Sequence, residues 1–162
     1  MPGQEYSAPD TFLLSLQYYS SFAPSIAASC SWRAVQPPFA FGEYAYTTFI
    51  TGMAYGVDIW AGQIVVRLRK RNPALHLIAA IPFQGFEDCW SSDWKRAYQE
   101  LLEQADLVKY ICPGYNAGAY QRRNEWMVHH SSRVIAVFNG EPSGTKNTID
   151  YAKKTGIMCC CL

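Results

Sequence analysis

The sequence predicts an α/β fold of three layers, with a mainly parallel sheet of about five strands. Two observations predict it. Short apolar runs of strand length alternate along the chain with segments in which apolar residues recur at helical spacing. Loops rich in turn residues follow several of the apolar runs, as expected where a strand leads into a helix.

Residues 1–45 are the least regular part of the chain, with aromatic, Ser, Ala and Pro residues mixed and few charges. One helix is predicted there, starting at Pro9-Asp10. Its apolar residues fall loosely on one side: Phe12, Leu13, Leu16 and Tyr19. We therefore expect an atypical N-terminal segment, helical in part or poorly ordered, ahead of a domain over residues 46–162.

The stretch 48–68 indicates a buried strand, a glycine-rich turn and an amphipathic helix in direct succession. Gly52 and Gly56 bracket the turn, where the backbone must approach something closely or take a positive φ. Asp58 stands where a helix N-cap is expected. Four apolar residues then share one helical stripe: Ala61, Ile64, Val65 and Leu68. A Rossmann-like nucleotide site begins in this way, because the helix N-terminus attracts a phosphate or carboxylate, although such turns also occur for purely steric reasons.

The rest of the chain alternates between strands and helices. Strands are predicted over residues 75–81, 107–111, 133–138 and 157–162. Helices are predicted over residues 94–102, 120–130 and 146–154. Continuous apolar runs such as 75–81 fit a parallel sheet that is covered on both faces. Right-handed crossovers then bring the loops that follow the strands to one edge of the sheet.

The densest polar cluster of the chain lies on the predicted helix 120–130 and contains Arg122, Arg123, Asn124 and Glu125. Two adjacent guanidinium groups beside an amide could clamp a phosphate. Alternatively, the cluster is a solvated helix face whose arginines pair with Glu125. The residues alone leave both interpretations open.

Composition narrows the class of protein. Hydrophobic residues make up 49% of the chain, charged residues 17%, and the net charge is +1. This balance argues against binding nucleic acid through bulk charge, and no apolar run has the length of a membrane helix. Three of the six cysteines, Cys159, Cys160 and Cys161, are adjacent, which suits neither a disulfide framework nor a zinc site. We expect a soluble, cytoplasmic protein with no membrane contact, metal site or cofactor.

Five motifs, in order, resemble the SLOG superfamily of Rossmann-like domains, nearest its YpsA-like branch. They are ITGMAYGVDIWAG, the AIPF loop with its following tryptophan, LEQADLVKY, RRNEWMV, and VIAVFNG followed by SGT-x-x-T-x-x-YA. The superfamily also includes the Smf/DprA DNA-processing proteins and the LOG cytokinin-activating phosphoribohydrolases. The resemblance implies a bacterial domain that binds or senses a nucleotide or nucleotide-derived ligand, with a link to stress or cell division.

The same resemblance implies where the ligand binds. The ligand-binding residues it implies are Gly52, Gly56 and Asp58 in the first loop, Arg123 and Asn124 on the middle helix, and Gly144 and Thr145 in the last loop. It implies no catalytic residue for this chain. Binding of a protein partner and formation of a homodimer are further alternatives for this chain.

The chain departs from the family pattern at three places. The N-terminal segment lacks the Gly-His-Arg motif that usually lines the pocket, Ser143 replaces the first glycine of a double glycine, and Arg133 replaces an aspartate. Lys146 and Asn147 stand where the phosphoribohydrolases carry glutamates, which removes the acid or base needed to break an N-glycosidic bond. A binding domain is therefore favoured over two alternatives, a nucleoside monophosphate phosphoribohydrolase-like enzyme and a DprA-like module for single-stranded DNA.

Overall fold

A computed structural model of the protein describes residues 11–16 and 46–161. These residues form six strands and four helices. The strands are β1 (Thr11–Leu16), β2 (Thr48–Thr51), β3 (His76–Ile81), β4 (Leu107–Tyr110), β5 (Arg133–Val137) and β6 (Met158–Cys161). The helices are α1 (Val57–Arg69), α2 (Ser92–Leu102), α3 (Ala119–His129) and α4 (Gly144–Lys154).

The strands form one sheet in the order β4-β3-β2-β1-β5-β6, and every neighbouring pair is parallel. The predicted α/β fold with a parallel sheet is thus confirmed, with six strands where about five were expected. The strands and helices after residue 46 lie within a few residues of their predicted positions.

The helix expected from Pro9-Asp10 is wrong at Thr11–Leu16, which form the central strand β1. Thr11 pairs with Thr48 of β2, and Phe12 pairs with Arg133 of β5. A short, mostly apolar run fits a fully covered parallel strand as well as a helix, and periodicity alone cannot separate the two. The remainder of the predicted N-terminal segment lies outside the described residues, so the division of the chain at residue 45 stays a prediction.

Two apolar cores lie on opposite faces of the sheet, which gives the three predicted layers. The residues of β3 alternate between these cores. Leu77, Ala79 and Ile81 join the core under α1 and α2, whereas Ile78 and Ala80 join the core under α3 and α4. Each fully buried Leu or Ile contributes roughly 1.5–3 kcal/mol, so both faces of β3 must stay apolar.

The strand order changes direction between β1 and β5, because β2 to β4 follow on one side of β1 and β5 and β6 lie on the other. The connection from β1 leads to β2 on one side, and the connection from β5 leads through α4 to β6 on the other. Open parallel sheets bind their ligands in the crevice that such a reversal leaves at the carboxyl ends of the strands. The loop after β5 lies at this crevice, and the loop after β2 lies one strand away.

Candidate functional site

The glycine turn between β2 and α1 begins the site. Gly56 has φ 91° and is the N-cap of α1, without a side-chain hydrogen bond to the helix. Only glycine adopts this backbone conformation readily, so Gly56 allows the helix to start at Val57. The N-cap role expected for Asp58 is therefore wrong, because Asp58 lies inside the first turn of α1.

Asp58 instead stabilises the turn through hydrogen bonds, and its side chain is buried. Its residue surface is 2% exposed, and its Oδ2 accepts a hydrogen bond of 3.2 Å from the N–H of Ala54. Thr51 Oγ1 donates to the main-chain oxygen of Asp58 at 3.0 Å. The sequence reasoning missed Thr51, although a threonine at the end of a strand before a glycine turn is a signal for such a bond.

Arg123 reaches this turn from α3. Its Nη1 donates to the carbonyl oxygen of Gly52 and lies 3.8 Å from Asp58 Oδ2. The side chain is 8% exposed, and its buried Nε has no hydrogen-bond partner among the described residues. Burial lowers the pKa of Arg123, and Asp58 opposes that shift. The guanidinium keeps its charge at neutral pH, because arginine is not deprotonated in proteins.

Gly52 is required for this contact. A Cβ placed on Gly52 would overlap Arg123 Nη1 and would lie 2.7 Å from Asp58 Oδ2. The sequence predicted a close approach of backbone at this glycine but could not name the group that approaches. The structure identifies that group as the guanidinium of a residue 71 positions away.

The second half of the site lies where α4 begins. Ser143 is the N-cap of α4, and its Oγ accepts a hydrogen bond of 3.2 Å from the N–H of Lys146. Thr145 is 3% exposed in the first turn. Asn124 Nδ2 donates to the main-chain oxygen of Gly144 at 3.5 Å. Because Asn124 follows Arg123 on α3, the two side chains connect the α4 terminus with the glycine turn.

The structure fits neither interpretation of the polar cluster completely. Arg123 is buried and Arg122 is exposed, as expected for adjacent residues about 100° apart on a helix. Glu125 Oε1 accepts a hydrogen bond of 2.9 Å from Gln121 Nε2. Arg123 and Asn124 therefore face the site, whereas Arg122 belongs to the outer face of α3.

The assembled residues suit binding of an anion that also carries hydroxyl groups. They supply one buried cation, one carboxylate, one amide and the N-termini of α1 and α4. Within the described ranges, no group of three or more His, Cys, Asp or Glu residues comes together as a metal site. None of the described helices is long and apolar enough to cross a membrane.

The chain is similar in sequence to one protein family and to several bacterial proteins. A family model described as the YspA SLOG family matches residues 40–156. The uncharacterized SPbeta prophage-derived protein YoqJ of Bacillus subtilis is 40% identical over 119 residues, an alignment that covers 66% of this chain and 70% of that protein. A UPF0398 protein of Bacillus thuringiensis is 30% identical over 124 residues, covering 72% of this chain and 65% of that protein.

Among solved structures, DNA processing protein A (DprA) from Streptococcus pneumoniae superposes with a TM-score of 0.59 at 17% identity. The match covers 95% of this chain and 50% of DprA, so the chain spans about half the length of that protein. At this identity the similarity shows the fold alone. Together with the family match, it confirms the predicted relationship: the chain belongs to the SLOG family, in its YpsA-like branch.

Proposed function

We propose that this chain is a binding or sensing domain for a nucleotide or nucleotide-derived ligand, held where the glycine turn, α3 and α4 meet. The observation that carries the proposal is the incompletely paired guanidinium of Arg123. A regulatory role in stress or cell division is the context that the family resemblance implies.

A buried arginine normally has its N–H groups paired, because an unpaired buried charge is costly. Arg123 satisfies this rule only in part. Its Nη1 is bonded to a carbonyl oxygen, its distance to Asp58 Oδ2 is 3.8 Å, and its Nε has no partner in the described part of the chain. A phosphate oxygen that reached Nε would give this atom a charge-assisted hydrogen bond.

Asp58 narrows the chemistry of the ligand. A site with a cation alone would suit inorganic phosphate, but here a buried carboxylate lies beside the guanidinium. A carboxylate can accept from a hydroxyl in addition to the bonds it already makes, so such a pair suits a molecule with an acceptor for the arginine and a hydroxyl donor for the aspartate. A ribose phosphate carries both groups, which supports a nucleotide over a simple anion.

The helix termini add to the attraction for phosphate. The N-cap of α1 is Gly56, which has no side chain to bond the first turn, so this turn can donate N–H groups to an anion. The α4 terminus is connected to the same region through Asn124 and Gly144. Two helix N-termini and one guanidinium at the crevice of a parallel sheet support a ligand with one or more phosphates.

Binding without hydrolysis is the better-supported reading. Lys146 and Asn147 occupy the positions where the phosphoribohydrolases carry glutamates, and neither has a carboxylate. Lys146 Nζ pairs with Asp150 Oδ2 at 2.6 Å on the surface of α4, away from the buried Arg123. The similarity to DprA concerns the fold, and the net charge of +1 argues against a single-stranded DNA module.

Calorimetric titration with AMP, ADP, ADP-ribose and ribose 5-phosphate tests the proposal. We expect at least one of these ligands to bind the wild-type chain, and Arg123→Met to weaken that binding roughly tenfold or more, the cost of losing hydrogen bonds to a charged group. Arg122→Met is the matched control, since it removes an exposed guanidinium from the same helix, and less than about a twofold change is expected.

Two results would contradict the proposal. One is the absence of heat with every ligand from protein whose circular dichroism and melting show that it is folded. The other is binding that Arg122→Met and Arg123→Met weaken equally. Release of free base from AMP, abolished by Arg123→Met, would replace the binding proposal with the hydrolase alternative.

A further inference from the structure

A continuous series of aromatic contacts borders the candidate site. We refer to it as the aromatic arc, and its members are Tyr55, Trp90, Phe86, Phe83, Tyr115 and Tyr120. Neighbouring rings along the arc lie 4.9–6.2 Å apart between centroids, mostly edge to face. The arc starts in the glycine turn, passes through the loop after β3 and ends at the first turn of α3.

The arc is buried in its middle and exposed at its ends. Phe83 and Phe86 are 8% and 5% exposed, whereas Tyr55, Tyr115 and Tyr120 are 41%, 75% and 44% exposed. Phe83 contacts both Tyr115 and Tyr120, at centroid distances of 5.4 and 5.8 Å and interplanar angles of 76° and 80°. The buried phenylalanine therefore positions the two tyrosine rings while much of their surface remains open to a partner.

Tyr120 lies next to the charged part of the site. It precedes Arg123 by three residues on α3, a spacing that places both side chains on the same side of the helix. Burial raises the pKa of Tyr120, and the charge of Arg123 acts against that shift, which is consistent with two groups that are close in space. The phenol is thus uncharged at neutral pH and can stack on an apolar ring.

This arrangement combines a preorganised aromatic surface with a buried cation at one sheet edge. A flat π-system joined to a phosphate fits it, because base stacking on an aromatic side chain is favourable for every nucleobase. Packing of the protein itself explains Phe83 and Phe86, which are buried. It does not explain why Tyr115 and Tyr120 remain exposed beside a buried guanidinium.

We propose that Tyr115 and Tyr120 form the base subsite of the ligand, with its phosphate at Arg123. A purine is the base we assign to it, because its double ring can stack on more of the two exposed tyrosine rings than a single-ring base can. This inference rests on the proposed function, and it specifies the ligand as a purine nucleotide whose base contributes to affinity. A sugar phosphate alone would fill only the polar half of the site.

The test compares AMP with ribose 5-phosphate by calorimetry. In the wild-type chain we expect AMP to bind roughly fivefold or more tightly than ribose 5-phosphate, the range expected for stacking one base. Tyr120→Leu and Tyr115→Leu should each reduce this ratio, because they weaken the binding of AMP more than the binding of ribose 5-phosphate. Tyr120→Phe should preserve the ratio, because it keeps the ring and removes only the hydroxyl.

Tyr110→Leu is the matched control. Tyr110 is 45% exposed at the end of β4 and is not a member of the aromatic arc. Its replacement should leave the ratio of the two affinities unchanged. Melting curves for all variants establish that each remains folded, and the ratio of the two affinities in the wild-type chain keeps the proposal falsifiable if either leucine variant is destabilised.

The outcomes separate this inference from the proposed function. Arg123-dependent binding of ribose 5-phosphate and AMP with equal affinity would overturn the base subsite and leave the proposed function standing. Absence of binding to any of the nucleotides and sugar phosphates would overturn both. Tyrosine-dependent binding of a single-stranded oligonucleotide, without binding of AMP, would replace the purine subsite with a nucleic-acid platform.

Discussion

Two arginine–aspartate pairs lie at opposite ends of the parallel strands. Their arginines differ in how many of their polar atoms have a hydrogen-bond partner. Arg69 Nη1 and Asp106 Oδ2 are 2.6 Å apart near the amino ends of the strands, with side chains 25% and 30% exposed. Arg123 Nη1 and Asp58 Oδ2 are 3.8 Å apart at the carboxyl ends, with side chains 8% and 3% exposed. The shorter pair is thus the more exposed one.

The amino-edge pair, Arg69 with Asp106, has further hydrogen-bond partners. Asp106 Oδ2 accepts from the N–H of Leu77 at 2.8 Å, and Asp106 Oδ1 lies 3.4 Å from Nδ1 of His76. Arg69 Nη2 donates to the main-chain oxygen of Gln104 at 2.7 Å. These bonds fasten the end of α1 and the start of β4 to β3, which is a structural role.

In the carboxyl-edge pair, Arg123 with Asp58, the arginine is less completely paired. Arg123 keeps a buried Nε without a partner among the described residues, although burial makes an unpaired polar atom more costly there than at the amino edge. This difference fits the proposed function, in which Arg123 binds a ligand and the pair of Arg69 with Asp106 fastens neighbouring elements together.

Gly52→Ala should break the carboxyl-edge pair. The new Cβ would overlap Arg123 Nη1, so the guanidinium must move away from Asp58 or the turn must deform. We expect the free energy of unfolding to fall by roughly 3 kcal/mol, through overpacking and disruption of a buried charge pair, and nucleotide binding to be lost. Urea unfolding and calorimetry measure the two effects.

Gly114→Ala is the control for this change. A Cβ at Gly114 would meet no atom within 4 Å, so a change of less than about 0.5 kcal/mol is expected. If Gly52→Ala were as stable as Gly114→Ala and bound ligand normally, the close packing of Arg123 against the glycine turn would be disproved.

The sequence predicted the elements around this pair better than the pair itself. Apolar periodicity placed α1 and β3 because burial on one or both faces leaves a local pattern. The contact between Arg123 and Gly52 joins residues 71 positions apart and leaves no such pattern. The family resemblance selected both residues for the site without giving the reason that they belong together.

The errors made from the sequence also have physical causes. Asp58 was expected to cap α1, since aspartate favours that position, but the positive φ of Gly56 starts the helix earlier and places Asp58 in its first turn. Thr11–Leu16 were expected to be helical, because a short apolar run is ambiguous until its neighbours are known. Their neighbours are β2 and β5, which are distant in sequence.

Asp106→Ala should break the amino-edge pair without affecting the site. The variant leaves Arg69 and the N–H of Leu77 without their shared partner, so we expect a loss of about 1–3 kcal/mol in the free energy of unfolding. Affinity for nucleotides should stay within about twofold of wild type, because the residue lies at the other edge of the sheet. Asp93→Ala, at an aspartate 84% exposed, is the control and should cost less than about 1 kcal/mol.

The outcome that would contradict this assignment is a clear loss of affinity in Asp106→Ala at unchanged stability. The amino-edge pair would then be coupled to ligand binding at the carboxyl ends of the strands. Its role would no longer be structural only.

Acid should remove part of the Asp106 contribution. Burial alone would raise the pKa of this carboxyl, but the hydrogen bond from Leu77 and the nearby His76 and Arg69 outweigh it, so the pKa lies below its ordinary value. A carboxyl with a depressed folded-state pKa stabilises the protein above its unfolded-state pKa of about 3.9, and this stabilisation disappears as the pH falls through the folded-state value. The stability gap between wild type and Asp106→Ala should therefore narrow in acid.

Urea unfolding of both proteins from about pH 6 down to about pH 2.5 measures this gap, and the other carboxylates largely cancel because both proteins contain them. The expected narrowing is smaller than the full effect of Asp106→Ala, since a protonated carboxyl still accepts from the N–H of Leu77. A gap that stays constant over this range would mean that Asp106 acts through packing and neutral hydrogen bonds. The two pairs would then differ only in their hydrogen bonds, and the charge of Asp106 would contribute nothing to stability.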